Sequence, residues 1–329
     1  MNSQKLLERG YFADLSQRLE KTRISSGQFR GKESESSRSI INEGDVALTI
    51  INAFGIEDSE FESFRRGFGM ATDGDGDEER RILTIHSSSL LALLCFFSVS
   101  EKNPLKIGDC DYTEVFFEVK NIVIKKDNRK PSNVDVVLVS KSKDGRIRKL
   151  LFLESKFTEY VHHGHVKLAS KYHPFYNFIK ENIDSLEFNI SDFILHHRDG
   201  STSAAFGLWA DRPLYLDGIK QAFSHLLGIA TSPAEDSNRL REEYKKYYYS
   251  AEEIEFGTIV HDWNKKEFEN YATLYATTFK NEGIIKNGLK TEFNSDIIGR
   301  LKILPTILTY SAVFRDFRLP GIVRKAYKL

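Results

Sequence analysis

Apolar residues recur at helical spacing near the start of the chain, where Leu6, Leu7, Tyr11, Leu15 and Leu19 stand among charges and predict an amphipathic helix over 3–22. A polar, serine-rich stretch from Ser25 to Arg38 predicts a loop, and residues 44–55 carry a second short helical pattern. Thr72 to Glu79 is an acidic, glycine-containing connection. From Ile82 to Ser100 an apolar run, opened by Ser87, Ser88 and Ser89, predicts a buried helix.

The period then changes to two. Glu114 to Lys120, Val134 to Val139 and Ile147 to Leu153 are rich in β-branched and aromatic residues, with turn-forming segments at Asp127 to Pro131 and Lys143 to Gly145. They predict three strands in an antiparallel meander. Helical signals return from Thr158 to Ile183, a short strand is expected near Ala205 to Trp209, and Asp217 can cap a helix from Gly218 to Ile229. The last hundred residues are expected to be mainly helical, with Phe268, Tyr271, Tyr275 and Phe279 on one stripe, and no internal repeat is found.

Composition narrows the classes. A chain of 329 residues with 40% hydrophobic and 29% charged residues can bury a substantial core, so wholesale disorder is excluded. Positive and negative side chains balance at 47 each, so any affinity for a polyanion must come from a local patch. Two cysteines, Cys95 and Cys110, are too few for a disulfide framework and fit a reducing, cytoplasmic compartment. The first residues lead into no apolar signal core, and the longest apolar stretch, Leu90 to Val99, falls short of the roughly 20 residues that span a bilayer. A soluble chain with no membrane partner is expected.

The candidate chemistry lies in the hairpin around Asp144-Gly145, a dipeptide that favours a two-residue turn. With those residues as the turn, Lys143 faces Arg146, Val139 faces Leu150, Val137 faces Phe152 and Asp135 faces Glu154. Opposed residues share a face with Cβ atoms about 4.5 to 5.5 Å apart, so the two carboxylates would repel each other. A divalent cation is a common compensation, which makes this a predicted metal site. Alternation adds Lys156 to the face of Glu154, while Ser155 points away and offers that side only its backbone carbonyl.

Asp135, eighteen intervening residues and then Glu154-Ser155-Lys156 resemble the PD-(D/E)XK nuclease superfamily, also called restriction endonuclease-like. The resemblance covers roughly residues 82 to 230 and implies an α/β restriction endonuclease-like core: helix, three-strand meander, helix, strand, helix. It further implies that Asp135, Glu154 and the Ser155 carbonyl bind Mg²⁺ (or Mn²⁺), with Lys156 positioning or activating the attacking water. The chain departs from the motif before Asp135, where Val134 stands and the nearest proline is Pro131. Glu118, expected on the face of Phe116 and Lys120, is a candidate further carboxylate. Branches of the superfamily place a Gln or Lys from the later helix beside the metal, so Lys220, Gln221 or His225 is a candidate to contact phosphate or water. A polar helix face is the competing account.

Between Lys120 and Lys149 ten basic residues stand against three acidic ones, an excess expected to frame the site and follow a phosphate backbone. A solvated hairpin whose lysines protect strand edges is the alternative. Asp73, Asp75 and Asp77 are not an EF-hand, because Glu78 and Thr84 stand where the loop needs Gly and Glu. His162, His163, His165 and His173 lack the spacing of a zinc site, and Gly67-Phe68-Gly69 lacks the rest of a dinucleotide fingerprint. Tyr244, Tyr247, Tyr248 and Tyr249, beside Arg241, Lys245 and Lys246, suit either base stacking or helix packing.

The expected organisation is a helical extension over 1–81, a nuclease-like core over 82–230, and a mainly helical part over 231–329 in the same compact unit. The expected activity is metal-dependent hydrolysis of DNA phosphodiester bonds by an endonuclease. The rival is a catalytically inactive module on the same fold that binds DNA or protein; a metallohydrolase of small phosphorylated molecules fits the basic hairpins less well. Homodimerisation would suit cutting of both strands, though no interface signature requires it.

Overall fold

The run Leu150 to Leu153 has no polar side, and the computed structural model gives the reason: it lies in a strand buried on both faces of a sheet. The structure describes residues 14, 15, 17, 54, 56, 87–122, 132–161, 194–195, 205–206, 215–233, 239–290 and 295–329. In chain order these form α1 (Ser88–Phe96), β1 (Leu105–Ile107), β2 (Cys110–Tyr112), β3 (Glu114–Ile122), β4 (Ser132–Lys141), β5 (Ile147–Lys156), β6 (Ile194–Leu195) and β7 (Ala205–Phe206). There follow α2 (Tyr215–Thr231), β8 (Ser232–Pro233), α3 (Arg239–Ser250), β9 (Glu253–Val260), α4 (Lys265–Phe279), α5 (Glu282–Lys290) and α6 (Ser295–Arg300). The chain ends with β10 (Leu301–Ile303), β11 (Leu308–Thr309), α7 (Tyr310–Val313) and α8 (Gly321–Tyr327).

The fold is mixed α/β. Its main sheet has the order β10-β9-β5-β4-β3-β8, with β11 also on β9. β3, β4 and β5 form the expected antiparallel meander, while β9 runs parallel to β5 over its whole length, Lys149 opposite Glu253 and Lys156 opposite Val260. On one face Val137, Val139, Leu150 and Phe152 pack against α2, α3 and α4 through residues such as Phe223, Tyr244 and Tyr275. On the other face Val136, Leu138, Leu151 and Leu153 pack against α1, Tyr310 of α7 and Tyr327 of α8. Each such aliphatic side chain contributes about 1.5–3 kcal/mol on burial, so the two cores hold the meander from both sides.

Local signals explain the helices that flank this sheet. Ser87 caps α1 by accepting from Leu90 N at 3.4 Å, and all residues from Leu90 to Phe96 are buried. In α4 the stripe of Tyr271, Tyr275 and Phe279 is buried, with Phe268 packed partly against the same core. Tyr244 and Tyr248 of α3 are buried too, and Tyr247 hydrogen-bonds Lys141, so these side chains serve packing; Tyr249 alone of the four is exposed, at 57%.

Two expectations are corrected and a third is extended. The turn is not the two residues Asp144-Gly145: Ser142 N donates to Arg146 O and Gly145 N to Ser142 O, which makes Lys143-Asp144-Gly145 the loop, with Gly145 at φ +80°. Ser142, not Lys143, therefore faces Arg146. The pairing shifts by one between Ser140 and Lys141, leaving Arg148 as an extra residue on β5, and beyond it Val139 faces Leu150 and Val137 faces Phe152 as expected. The region after 230 is mainly helical among the described residues, as expected, but it also supplies β9, β10 and β11 to the sheet. The short strand at Ala205–Phe206 pairs with Ile194–Leu195 in a separate ribbon; the strand that follows α2 into the main sheet beside β5 is β9.

Much of the N-terminal reading lies outside the described residues: the serine-rich stretch, the acidic connection, the 127–131 turn, most of the 3–22, 44–55 and 158–183 helices, and the four histidines between 162 and 173. Of the first 81 residues, Leu15, Phe54 and Ile56 are seen buried in the second core, and Asp14 pairs with Lys328 at 3.0 Å. Among the described residues no helix is long and apolar enough to cross a membrane.

The seat of α2 is set by a glycine. A Cβ on Gly228 would run into Ser132 Oγ and stand 3.0 Å from Asn121 Cβ, so the helix lies directly on the ends of β3 and β4. Gly228→Ala is expected to lower stability by about 1–3 kcal/mol, the usual cost of overpacking. Urea unfolding measures this; an unchanged midpoint would mean that the helix does not sit that close.

Candidate active site

β5 alternates regularly through its last residues. Glu154 and Lys156 project toward α2, whereas Ser155 projects to the other face, where its hydroxyl meets Tyr310 OH at 2.7 Å and donates to Ser88 O at 3.2 Å. On the α2 face Lys156 Nζ donates to Glu154 Oε1 at 2.6 Å and to Gln221 Oε1. His225, one turn after Gln221, brings Nε2 to 2.8 Å from Glu154 Oε2. Glu154, Lys156 and His225 are buried, at 5%, 7% and 6% exposure. Four polar side chains from one strand and one helix thus close on each other at the end of the sheet.

Asp135 joins this cluster from the next strand by an unexpected route. The β3–β4 ladder pairs Phe117 with Val136 and Val119 with Val134 but skips Glu118 and Asp135, and Glu118 has φ +51°. Val119 and Val134 lie in the core that also holds Val137 and receives Phe116, so alternation breaks at this step. Glu118 therefore does not sit on a regular face with Phe116 and Lys120. Asp135 does not simply stand beside Glu154 on one face either: its Oδ2 accepts from Ser155 N at 2.6 Å, taking the place in the ladder that a β4 carbonyl would fill. N–H and C=O of one strand residue point the same way, so the Ser155 carbonyl is also directed toward the β4 side, where Asp135 lies. A non-glycine residue at positive φ stores strain, and here it accompanies a buried carboxylate, since Glu118 is buried and accepts from Asn133 Nδ2.

The electrostatics split the two carboxylates. Burial, then the charges of Glu154 and Glu118, push the Asp135 carboxyl well above the usual range. Burial also acts to raise Glu154, but the Lys156 ammonium and then His225 outweigh it and hold that carboxyl at about 2. Burial opposes the charge of Lys156, yet Glu154, Glu159 and Asp135 together raise its pKa, so it stays protonated. The charge around Asp135 is uneven: Glu154 and Glu118 both act against its ionisation, and Lys156 is the ammonium that favours it.

That unevenness is the observation that fits a divalent cation. The donors are hard oxygens, from the Asp135 and Glu154 carboxylates and the Ser155 carbonyl, which suit Mg²⁺ or Mn²⁺. Among the described residues no three His, Cys, Asp or Glu side chains form a metal-holding group. Mg²⁺ does not require one, because it is commonly held by one or two carboxylates and completes its shell with water and substrate phosphate. The ionised Glu154 has about four acceptor sites on two oxygens; Lys156 hydrogen-bonds Oε1, and His225 Nε2 stands 2.8 Å from Oε2.

The expectation that both basic hairpins frame the site is corrected. The β4–β5 turn is about 30 Å from Glu154, at nine residues of about 3.3 Å each, and so lies at the opposite end of the strand. Four of its basic residues are also engaged locally: Lys141 with Glu114, Arg146 with Asp144 and Glu252, Arg148 with Asp109 at 4.0 Å, and Lys149 with Glu253 and Glu255. Residues 123–131, which carry Lys125, Lys126, Arg129 and Lys130, connect β3 to β4 at the Asp135 end and lie outside the described residues. The position of Thr258, opposite Glu154 on β9, and the contact of Tyr310 with Ser155 were missed. Glu253 to Phe256 does alternate polar and apolar residues, a signal for β9 hidden between two helical patterns.

Comparison with protein-family models, with curated proteins and with solved structures gave no match for this chain. What the site does must be argued from its geometry.

The split between the carboxyls has a consequence for stability. Asp135 has a folded-state pKa above its unfolded value near 3.9, so its ionisation destabilises the fold increasingly as pH rises from that value through the folded pKa. Glu154 acts oppositely: its stabilisation is complete above about 4.3 and is lost as pH falls toward about 2. Asp135→Asn should therefore melt higher than the natural chain at pH 8 in EDTA, with the gain shrinking toward pH 4. Thermal unfolding followed by circular dichroism tests this, and a lower melting temperature at pH 8 would contradict the assignment.

Proposed function

We propose that the chain is a metal-dependent nuclease of the restriction endonuclease-like fold, hydrolysing phosphodiester bonds in DNA. The observation that carries the reading is the Lys156 ammonium held between Glu154 and Gln221, with Asp135 on the adjoining strand beside Ser155 N. The order of elements supports it: α1, the β3–β4–β5 meander, α2, and then β9 parallel to β5. So does the agreement between Asp135…Glu154-Ser155-Lys156 and the motif of that superfamily. Both cysteines are unpaired and buried, in keeping with a reducing, cytoplasmic compartment.

Each residue has a task in such a reaction. Asp135, Glu154 and the Ser155 carbonyl would hold Mg²⁺, which supplies a polarised water nucleophile and charge stabilisation at the phosphate. Lys156 remains protonated among its carboxylates, so it serves as donor and countercharge to the developing negative oxygen, not as proton acceptor. Gln221 accepts from Lys156 through Oε1, which fixes the ammonium and leaves its amide N–H groups to direct a water or a phosphate oxygen. Burial of the cluster strengthens these interactions relative to water. Lys125, Lys126, Arg129 and Lys130, between β3 and β4 in the sequence, are the basic residues this reading assigns to the DNA backbone.

A second reading, a module that binds DNA or protein without cutting, is favoured by one fact: Glu154 already has Lys156 bonded to one oxygen and His225 at 2.8 Å from the other. Incubation of plasmid and linear DNA with the protein in Mg²⁺ or EDTA separates the two. The nuclease reading expects cutting only with the metal, reduced about 10²–10³-fold or more in Lys156→Ala, the scale seen when one transition-state donor is lost, and likewise reduced in Asp135→Asn. Cutting that persists in EDTA or in either variant would refute it; retention of DNA in a gel shift with no cutting would favour the binding module.

A further inference from the structure

His225 has no place in the Asp135…Glu154-Ser155-Lys156 motif, yet it touches the ligand residue on which the site turns. We propose that His225 is a positioning residue that fixes the Glu154 carboxylate for cation binding, an inference that rests on the metal site proposed above. Glu154 has three rotatable bonds before its carboxylate and would otherwise sample several rotamers. Lys156 holds Oε1 at 2.6 Å and His225 stands 2.8 Å from Oε2, so the plane of the carboxylate is defined from two sides.

Helix geometry makes this a paired device. Gln221 and His225 are four residues apart and lie on one face of α2, so one helix steadies Lys156 with the first and Glu154 with the second. The close seat of Gly228 against Asn121 and Ser132 brings the helix near enough for a short imidazole to reach the carboxylate.

The burial of His225 points to a task rather than to packing. Its Nδ1 is buried with no hydrogen-bond partner, its Nε2 meets Glu154 Oε2 at 2.8 Å as a charge contact without the alignment of a hydrogen bond, and the ring packs near Phe256 at 6.1 Å between centroids. Burying a polar nitrogen without a partner is unfavourable, and an aliphatic side chain would fill this part of the core without that cost. What the imidazole provides and an aliphatic group does not is the contact with Glu154 Oε2. One acceptor site of Glu154 is taken by Lys156 and His225 stands against the other oxygen, which leaves acceptor capacity for a cation shared with Asp135. Partners of this kind behind a metal ligand typically alter metal affinity or activity 10–100-fold when removed.

The test uses the full chain, Mn²⁺ as the probe and three variants. His225→Ala and His225→Leu remove the nitrogen, the second while keeping volume in the core; His225→Gln restores an N–H donor at similar reach. Mn²⁺ affinity is read by titration calorimetry and by the free-ion electron paramagnetic resonance signal, and DNA cleavage is split into kcat and KM. The expected result is Mn²⁺ binding about 10–100-fold weaker in the Leu and Ala variants. A lower kcat at unchanged KM, and recovery of most of the affinity in His225→Gln, are expected with it. Mn²⁺ affinity of folded His225→Leu within twofold of the natural chain overturns the proposal, and so does a natural chain that binds no Mn²⁺. A natural chain that binds Mn²⁺ and cuts no DNA defeats the nuclease reading alone, because the affinities of the variants still decide the role of His225.

Discussion

An ammonium buried among carboxylates is the constraint around which this end of the molecule is arranged. Lys156 is buried within hydrogen-bonding distance of Glu154, and Asp135 and Glu159 add to the negative field around it. Removing one partner of a buried ion pair typically costs about 3–5 kcal/mol, because the other charge is left uncompensated. The cluster therefore persists only where neighbouring groups satisfy it, and Gln221, His225 and Ser155 N do so from two elements. Even then the sum is uneven. Asp135 lacks a cation in contact and is pushed toward its neutral form, which is the condition a bound divalent ion relieves.

The rest of the fold sets the positions of these groups. β5 is the central strand, hydrogen-bonded to β4 on one side and β9 on the other, so Glu154 and Lys156 are carried on the most restrained part of the sheet. A site on such a strand is held more precisely than one on a loop. α2 approaches the sheet through Gly228, and two residues of one helical face then reach the strand. The break in alternation at Glu118 turns Asp135 into the plane of the sheet, where its carboxylate caps Ser155 N. Strain at Glu118 and the disfavoured ionisation of Asp135 occur at one place, the combination expected where stability is given up for function.

Much of this was legible in the chain because a period of two admits few registers. The β4–β5 pairing of Val137 with Phe152 follows from the apolar runs and the Gly145 turn, although the turn itself is one residue longer than Asp144-Gly145 suggests. The bulge at Arg148 absorbs that residue, so the error at the turn does not propagate to Glu154. The in-plane position of Asp135 was not legible, because it depends on a backbone twist shared with β3 that no local pattern encodes. The membership of β9 was missed because pairing across about a hundred residues leaves only a short alternation, Glu253 to Phe256, between helices. The basic residues near the turn looked like part of the site when counted along the chain, but ten-residue strands separate their two ends by the length of the sheet. Gln221 and His225 were visible as one helical face; which of them meets Lys156 and which meets Glu154 is decided by the tertiary seat of α2.

The claim beneath this account is that Asp135 and Glu154 share a cation beside Lys156. Anomalous diffraction from a crystal soaked in Mn²⁺ measures that directly. The account predicts an anomalous peak lying between the Asp135 and Glu154 carboxylates, next to the Ser155 carbonyl. Clear density for both side chains with no peak between them, or with the two carboxylates turned to opposite faces of the sheet, would contradict it.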